Sequence, residues 1–451
     1  MKERYDVIVA GGGPAGIAAA LSAARNGAHT LLVERYGFLG GMLTAGLVAH
    51  YDPIEQMEAT GIPLELYSEM KQRGGVVEYD MTGIEMPFRY WQGGCGLDAE
   101  IYKQMALDLL KSAGADVLLH AFVSDASVRD GKLESIGVAA KGGHLRLHAD
   151  VFVDATGDGD LCVAAGVPFE LGDGQGHCMG STLCFNLGGV DTETLFRYLE
   201  ENPDELGNHP RLGKYIRDPR ATAIVQGFYS LIAEAHAKGD LAFELPESGL
   251  GMCPLPTKGT FHVNAIRLPG KNPVDPSDLT ELEIVERGYL MNLFAFIKKY
   301  VPGCAEAFIM TSGVQVGVRE SRHIKGEHRM ILKDIEAGTR FPDAVVRTKW
   351  GHTDVHSGSG MQWSFSFIEG PYYIPYRALV PMQVDGLLAA GRLISAEQAA
   401  MASFRIMPVC SSIGEAAGAA AALCAKNKQL PRRLDAALLQ DALIRAGVRL
   451  D

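Results

Sequence analysis

The stretch that decides the fold is Asp6-Val-Ile-Val-Ala-Gly-Gly-Gly-Pro-Ala-Gly-Ile-Ala-Ala-Ala20: a short apolar run, a glycine turn and an alanine-rich segment. Val7 to Ala10 read as a parallel strand buried on both faces. Gly11, Gly13 and Gly16 fit the pattern G-x-G-x-x-G. Gly11 permits a tight turn, Gly13 lets backbone N–H groups approach a pyrophosphate, and Gly16 lets the following helix pack close to the strand. Pro14 suits a first helical turn, where its missing N–H costs nothing. The N–H groups around Ala15 and the positive end of the helix dipole then face an anion. A second apolar run, Thr30-Leu-Leu-Val33, ends at Glu34, 18 residues after Gly16. An acid at that distance meets a ribose hydroxyl and disfavours a 2′-phosphate, so NADP is not expected. The competing account is a strand–turn–helix without a phosphate, with Glu34 solvated. Which dinucleotide binds is left open by these residues.

A length of 451 residues suggests two or three domains at about 150 residues each. Hydrophobic content of 47% and charged content of 21% are those of a globular protein. The net charge of −12 argues against a nucleic-acid partner. Val7 to Ala24 is apolar enough to suggest a membrane span, but four glycines and a proline interrupt it, and the glycine motif accounts for it better. The chain enters its first strand directly, so no signal peptide is expected. Eight cysteines are scattered without a C-x-x-C pair, which removes the usual iron–sulfur, zinc and dithiol signatures and fits free thiols in a cytoplasmic protein.

Further along, Asp98 is placed to cap a helix over Ala99 to Ala113, closed by Gly114. Strands are expected over 116–123, 126–138 and 145–153, with a hairpin turn at Arg129-Asp-Gly-Lys132. Gln92-Gly-Gly-Cys-Gly96 reads as a turn. Leu279 to Tyr300 reads as a helix, with weaker helical segments at 195–201 and 221–238. Gly386-Leu-Leu-Ala-Ala-Gly391 is a strand ending in glycine, and Ser412-Ile-Gly-Glu415 suggests a capping box opening a small-residue helix from Gly414 to Cys424.

After Glu34 come Arg35 and, shortly, Gly40-Gly41-Met42; Ala155-Thr156-Gly157 follows a strand; and Gly391-Arg392 follows the last one. In these segments the chain resembles flavoproteins with a glutathione-reductase-type FAD domain. Within them it is most similar to FAD-dependent oxidoreductases distantly related to succinate dehydrogenase and fumarate reductase flavoproteins. The resemblance extends over the first 50 residues, 154–160, 317–326, 373–377 and 390–418. It implies an α/β fold: a Rossmann-like FAD-binding domain with an inserted α+β substrate domain. The FAD domain is expected from segments 1–50, 96–170 and 378–451, with 51–95 an insertion into the substrate domain or cap, and 171–377 the substrate or cap domain itself.

The same resemblance implies that Glu34, Arg35, Gly40, Gly41 and Met42 contact FAD. It sets backbone near Val123 against the adenine, the Ala155-Thr156-Gly157 turn near the cofactor, and Gly391, Arg392, Ile406 and Met407 beside it. The final helix then points its N-terminus at the flavin. Arg392 departs from the pattern, because many of these flavoproteins carry an acid there for a ribityl hydroxyl.

For chemistry, Gly317-Val-Arg-Glu-Ser-Arg-His-Ile-Lys325 offers Arg319, Arg322 and His323 as an anion clamp or proton donor. As a helix the three share a face; as a strand Arg319 and His323 part from Arg322. Internal ion pairing, for instance with Glu320 or Asp334, is the plainer account. His352-Thr-Asp-Val-His356 offers His356 as an acid/base oriented by Asp354, against a surface loop or an incomplete metal site. Arg377 and Arg405 are divided between site and salt bridge. Cys95 reads as a small buried hydrophobe rather than a nucleophile, and the surroundings of His50 do not match those of a flavin-linking histidine.

The expectation is an FAD-dependent oxidoreductase passing a hydride between flavin and a small anionic or polar organic molecule, with no metal, no membrane partner and the homo-oligomeric state open. The alternatives are a flavin enzyme without net redox turnover, such as an isomerase or hydratase, and a thiazole-synthase-like NAD-binding protein. A monooxygenase is disfavoured by the lack of a second dinucleotide motif.

Overall fold

The computed structural model describes residues 4–79, 94–206 and 225–451. Its centre is a seven-stranded sheet in the order 116–118, 30–33, 4–10, 143–154, 132–140 and 121–129, with Leu387–Ala389 added beside the second half of the long strand. Arg4–Ala10 lies between two parallel neighbours, Val7 opposite Thr30 on one side and Val151 on the other. A strand so placed has no solvated face, which is why Val7, Ile8, Val9 and Ala10 are all apolar and fully buried. The parallel strands ending at Ala10, Val33, Asp154 and Ala389 finish at one edge of the sheet. Their turns therefore converge, and a ligand site is expected outside those carboxyl ends. The hairpin between Ala121–Arg129 and Lys132–Ala140 turns on Asp130 and Gly131, both at positive φ, which suits a two-residue loop.

Helix Pro14–Arg25 packs along helix Met407–Asn427. A Cβ on Gly414 would lie 2.0 Å from the Ala15 carbonyl oxygen, and one on Gly418 would lie 2.1 Å from that of Ala19. The long helix does not start at Gly414 as the capping-box reading predicts. It begins at Met407 with Pro408 in its first turn. Ser412 instead donates back to the Pro408 carbonyl at 3.2 Å, and the Glu415 carboxylate accepts the backbone N–H of Ile62 at 3.0 Å. This is the one helix among the described residues long and apolar enough to cross a membrane, and 89% of its most apolar window is buried inside the protein.

A second core holds an antiparallel sheet in the order 225–227, 250–254, 261–263, 185–188 and 308–312, together with helix Pro276–Tyr300. Its members run from Leu183 to Val318, with Tyr79; Val345, Val346, Tyr372 and Ile374 belong to the first core. Asp98 caps Ala99–Ser112 through the N–H groups of Glu100 and Ile101. The weaker helical segments form as Thr192–Glu201 and Tyr229–Lys238, while 221–224 lie outside the described residues. Gln92 and Gly93 also lie outside them, and Cys95–Leu97 is a strand rather than part of a turn.

Two glycines test the packing argument. Gly418→Ala should destabilise the protein by about 1–3 kcal/mol, because the new methyl meets backbone that cannot step aside. Gly288→Ala, on the exposed face of helix Pro276–Tyr300 with nothing within 4 Å of the new Cβ, should stabilise it by about 0.5–1 kcal/mol. Denaturant titrations of the two variants read both signs.

Candidate active site

The converging turns enclose a cleft of about 110 Å³ lined by Gly11, Gly13, Pro14, Ala15, Glu34, Arg35, Gly41, Met42, Ala155, Thr156, Gly157, Gly391, Arg392 and Met407, among others. Gly16 and Gly40 shape it from behind. A Cβ on Gly16 would stand 1.8 Å from the Gly11 carbonyl oxygen, and Gly40 holds φ +116° at the turn into Gly41. Helix Pro14–Arg25 has no side-chain cap, so its first N–H groups are left to a ligand. The Glu34 carboxylate is buried and accepts the N–H of Gly12 at 2.6 Å and of Tyr36 at 2.9 Å. Val123 is buried in its strand and is not part of the cleft wall. Asp154, fully buried, ties the next turn by accepting from Thr156 and from the Cys162 N–H.

Arg392 donates to Asp158 at 2.7 Å, and Ser321 donates to the same oxygen at 2.6 Å. Burial pushes the Asp158 carboxyl up, but Arg392 and Ser321 outweigh it and hold it below its ordinary value. An acid is thus present beside the final glycine, carried by a different turn.

A larger cavity of about 240 Å³ adjoins the cleft; Met42, Arg392, Arg405 and Met407 line both. Its wall draws on both cores and includes His50, Asp52, Thr182, His262, Asn264, Arg267, Arg319, Asp354, His356, Trp363 and Ile406. His352–His356 is not a surface loop. It is a strand paired with Trp363–Phe367, and the Asp354 carboxylate is a hub within it. Asp354 accepts from Arg405 at 2.6 Å, from His356 Nε2 at 2.9 Å and from Trp363 Nε1 at 2.5 Å. Burial opposes the charge on Asp354, yet His356 and Arg405 hold its carboxyl well below the usual range. Burial pushes the His356 imidazole down to about 3, so it is neutral: Nε2 donates to Asp354 and Nδ1 has no partner among the described residues. Arg319 donates to the Gly180 carbonyl at 2.7 Å, and burial with Arg405 and Arg267 nearby lowers it to about 10.

Three expected residues go elsewhere. Arg322 pairs with Asp160 at 2.9 Å. His323, buried in its strand, is bonded to Glu320 at 2.8 Å, and Glu320 also takes the Met179 N–H and Gln398. Arg377, half-exposed, forks onto Asp343 through Nε at 2.9 Å and a second nitrogen at 3.1 Å. Each is tied to a carboxylate of the protein, and none lines either cavity. Among the described residues no group of three or more His, Cys, Asp or Glu could hold a metal. Cys95 is buried, and burial pushes its thiol up, away from nucleophilic character. Sequence reasoning misses Asp52, Asp158, Thr182, His262, Asn264 and Arg267. One signal is present: in Phe261-His-Val-Asn-Ala265, polar residues alternate with apolar ones, a strand period that points one side at something polar.

The family described as FAD dependent oxidoreductase matches residues 6–443. The chain belongs to this family. The cleft fits the FAD of that family: glycines stand where a Cβ would collide, and the start of helix Pro14–Arg25 has no side-chain cap. Digeranylgeranylglycerophospholipid reductase of Thermoplasma volcanium is 26% identical over 164 residues, 34% of this chain and 40% of that protein. Protein FixC of Azorhizobium caulinodans is 30% identical over 167 residues, 34% of this chain and 37% of that one. The chain therefore spans two fifths or less of these curated relatives. Among solved structures, a geranylgeranyl bacteriochlorophyll reductase-like protein of Thermoplasma acidophilum superposes with a TM-score of 0.51 at 15% identity, covering 98% of this chain and 83% of that one. That likeness supports the fold.

Burial pushes the Asp52 carboxyl up to about 7, against the pull of Arg405. Its folded value lies above the unfolded value of about 3.9, so its contribution to stability is whole below that pH and is lost as pH rises through about 7. The melting temperature of Asp52→Asn relative to wild type should therefore climb between about pH 4 and pH 8 and level off above. A flat difference in calorimetric scans across that range would contradict the assignment.

Proposed function

We propose that the enzyme transfers a hydride between FAD and a small anionic organic molecule held in the larger cavity. The observation that carries this reading is the set of guanidinium groups lining that cavity beside the cofactor cleft. Arg405 is balanced by Asp354 and Arg392 by Asp158, whereas Arg267 and Arg319 have no carboxylate within 4 Å among the described residues. Buried cations without counter-ions favour an anionic ligand, and Arg forks suit a carboxylate.

Bound in the cleft, FAD supplies the redox centre, and the protein supplies orientation and charge. Glu34, Gly13, Gly41, Ala155 to Gly157, Gly391 and Arg392 are the residues assigned to hold it, with Asp158 in place of the family's usual acid. The uncapped start of helix Met407–Asn427 presents backbone N–H groups and a positive dipole end, which favour negative charge beside Ile406 and Met407. Arg319 binds and orients the substrate anion. His356, held in one tautomer by Asp354, offers the Nδ1 lone pair to a proton. Met42, Val318, Trp363 and Met407 make the apolar part of the wall.

In this reading the first core is the glutathione-reductase-type FAD domain and the second, 183–318, is the inserted substrate domain. The partner is a small molecule, with neither a nucleic acid nor a membrane, in the cytoplasm.

Anaerobic mixing of the holoenzyme with a panel of carboxylates, alcohols and amines tests the function. At least one carboxylate should bleach the visible flavin band, or its oxidised counterpart should restore the band in chemically reduced enzyme. Arg319→Gln should raise the concentration for half-maximal bleaching by about ten- to a hundredfold. Conversion of a substrate without any change in the band would instead indicate an isomerase or hydratase.

A further inference from the structure

His262 sits in the strand Phe261–Val263 and is 1% exposed. Its Nδ1 is 3.1 Å from Oδ1 of the buried Asn186, on the neighbouring strand. An amide oxygen only accepts, so Nδ1 carries the hydrogen and Nε2 carries the lone pair. Nε2 is buried and has no partner among the described residues. Burial, with His50 nearby, pushes the imidazole down to about 3, which keeps that lone pair free of a proton. His262 lines the large cavity, as do Asn264 and Arg267 a few residues on. Asn264 has its Oδ1 occupied by the Thr182 hydroxyl at 3.0 Å, which leaves its N–H₂ group as what it offers the cavity. Arg267 is 7% exposed; it donates to the Met361 carbonyl at 3.2 Å, and its Nε has no partner among the described residues. The carboxyl groups that act on Arg267 and Arg319 from a distance are Asp354, Glu247 and Glu286, none of them within 4 Å among the described residues.

We propose that this wall of the cavity recognises a hydroxy carboxylate: Arg267 and Arg319 take the carboxylate, and the neutral His262 accepts a hydrogen bond from the hydroxyl through Nε2. This rests on the anionic-substrate reading above and narrows it. An acceptor without a protein donor calls for a donor on the ligand. An ammonium group is disfavoured by two unbalanced guanidiniums in the same wall. A hydroxyl both donates and accepts, which matches His262 as acceptor and the Asn264 amide as donor; an amide N–H matches only the first. Asn186 is a positioning residue, since it fixes which nitrogen of His262 carries the hydrogen and which the lone pair.

The test is calorimetric binding to oxidised holoenzyme, with perturbation of the flavin spectrum as a second readout and no turnover required. The probes are acid pairs differing by one hydroxyl: propionate with D- and L-lactate, and succinate with D- and L-malate. In at least one pair the hydroxylated acid should bind at least about tenfold more tightly. His262→Phe should reduce that preference to below threefold while leaving the plain acid within threefold of wild type. His262→Gln, which retains an acceptor oxygen, should keep part of it. Arg267→Gln should weaken both members of the pair alike. Acids that bind to wild type without a hydroxyl preference, or a preference that survives His262→Phe, overturn the proposal and leave the anionic reading standing. The first of these outcomes needs no variant to fold. If no acid of the panel binds, or if Arg267→Gln and Arg319→Gln change none of the affinities, the anionic reading falls and the proposal with it.

Discussion

At Gly11 the chain passes so close to the next turn that a Cβ would sit 2.4 Å from the Ala155 carbonyl oxygen, and a Cβ on Gly41 would stand 2.7 Å from the Cα of Gly13. Backbone is packed on backbone, with no side chain between. This is possible because parallel strands end at one sheet edge and deliver their turns to one place. The same economy repeats one layer out, where Gly414 and Gly418 let the last helix lie against Ala15 and Ala19. The cofactor cleft is the space left once these approaches are satisfied, so its shape is set by the main chain rather than by side-chain choice.

That origin explains how much can be read in advance. A cleft made of backbone leaves glycines at fixed spacings, and Gly11, Gly13, Gly16, Gly40-Gly41, Gly157 and Gly391 are visible in one dimension. The larger cavity is built differently. Thr182 and the 262–267 segment lie about eighty residues apart in the chain, and Asp52 and Asp354 enter from the other core. Nothing local marks a polar residue as facing such a cavity rather than a partner. Arg319 and Arg322 are three residues apart, yet one lines the cavity and the other pairs with Asp160. The capping-box reading fails for a related reason: Glu415 caps a different helix, Ile62–Gln72, across a contact 353 residues long.

The cavity also separates two kinds of charge. Asp354 gathers Arg405, His356 and Trp363 into a self-balanced unit, a fixed dipolar wall that costs little to keep dry. Arg267 and Arg319 stand apart from it with backbone carbonyls as their hydrogen-bond partners. A carbonyl satisfies geometry but cancels no charge. On the proposed reading, that uncancelled charge is what draws an anion into the cavity.

The four residues shared by the two spaces, Met42, Arg392, Arg405 and Met407, have a practical consequence for divergence within such a scaffold. On the function proposed above, a substitution at any of them changes cofactor and ligand binding together and cannot tune one alone. Gln226, Pro246 and Ser248 line only the larger space and lie in the second core's segment of the chain. On the same proposal, new substrate preferences can arise by drift at that wall while the cleft is inherited unchanged.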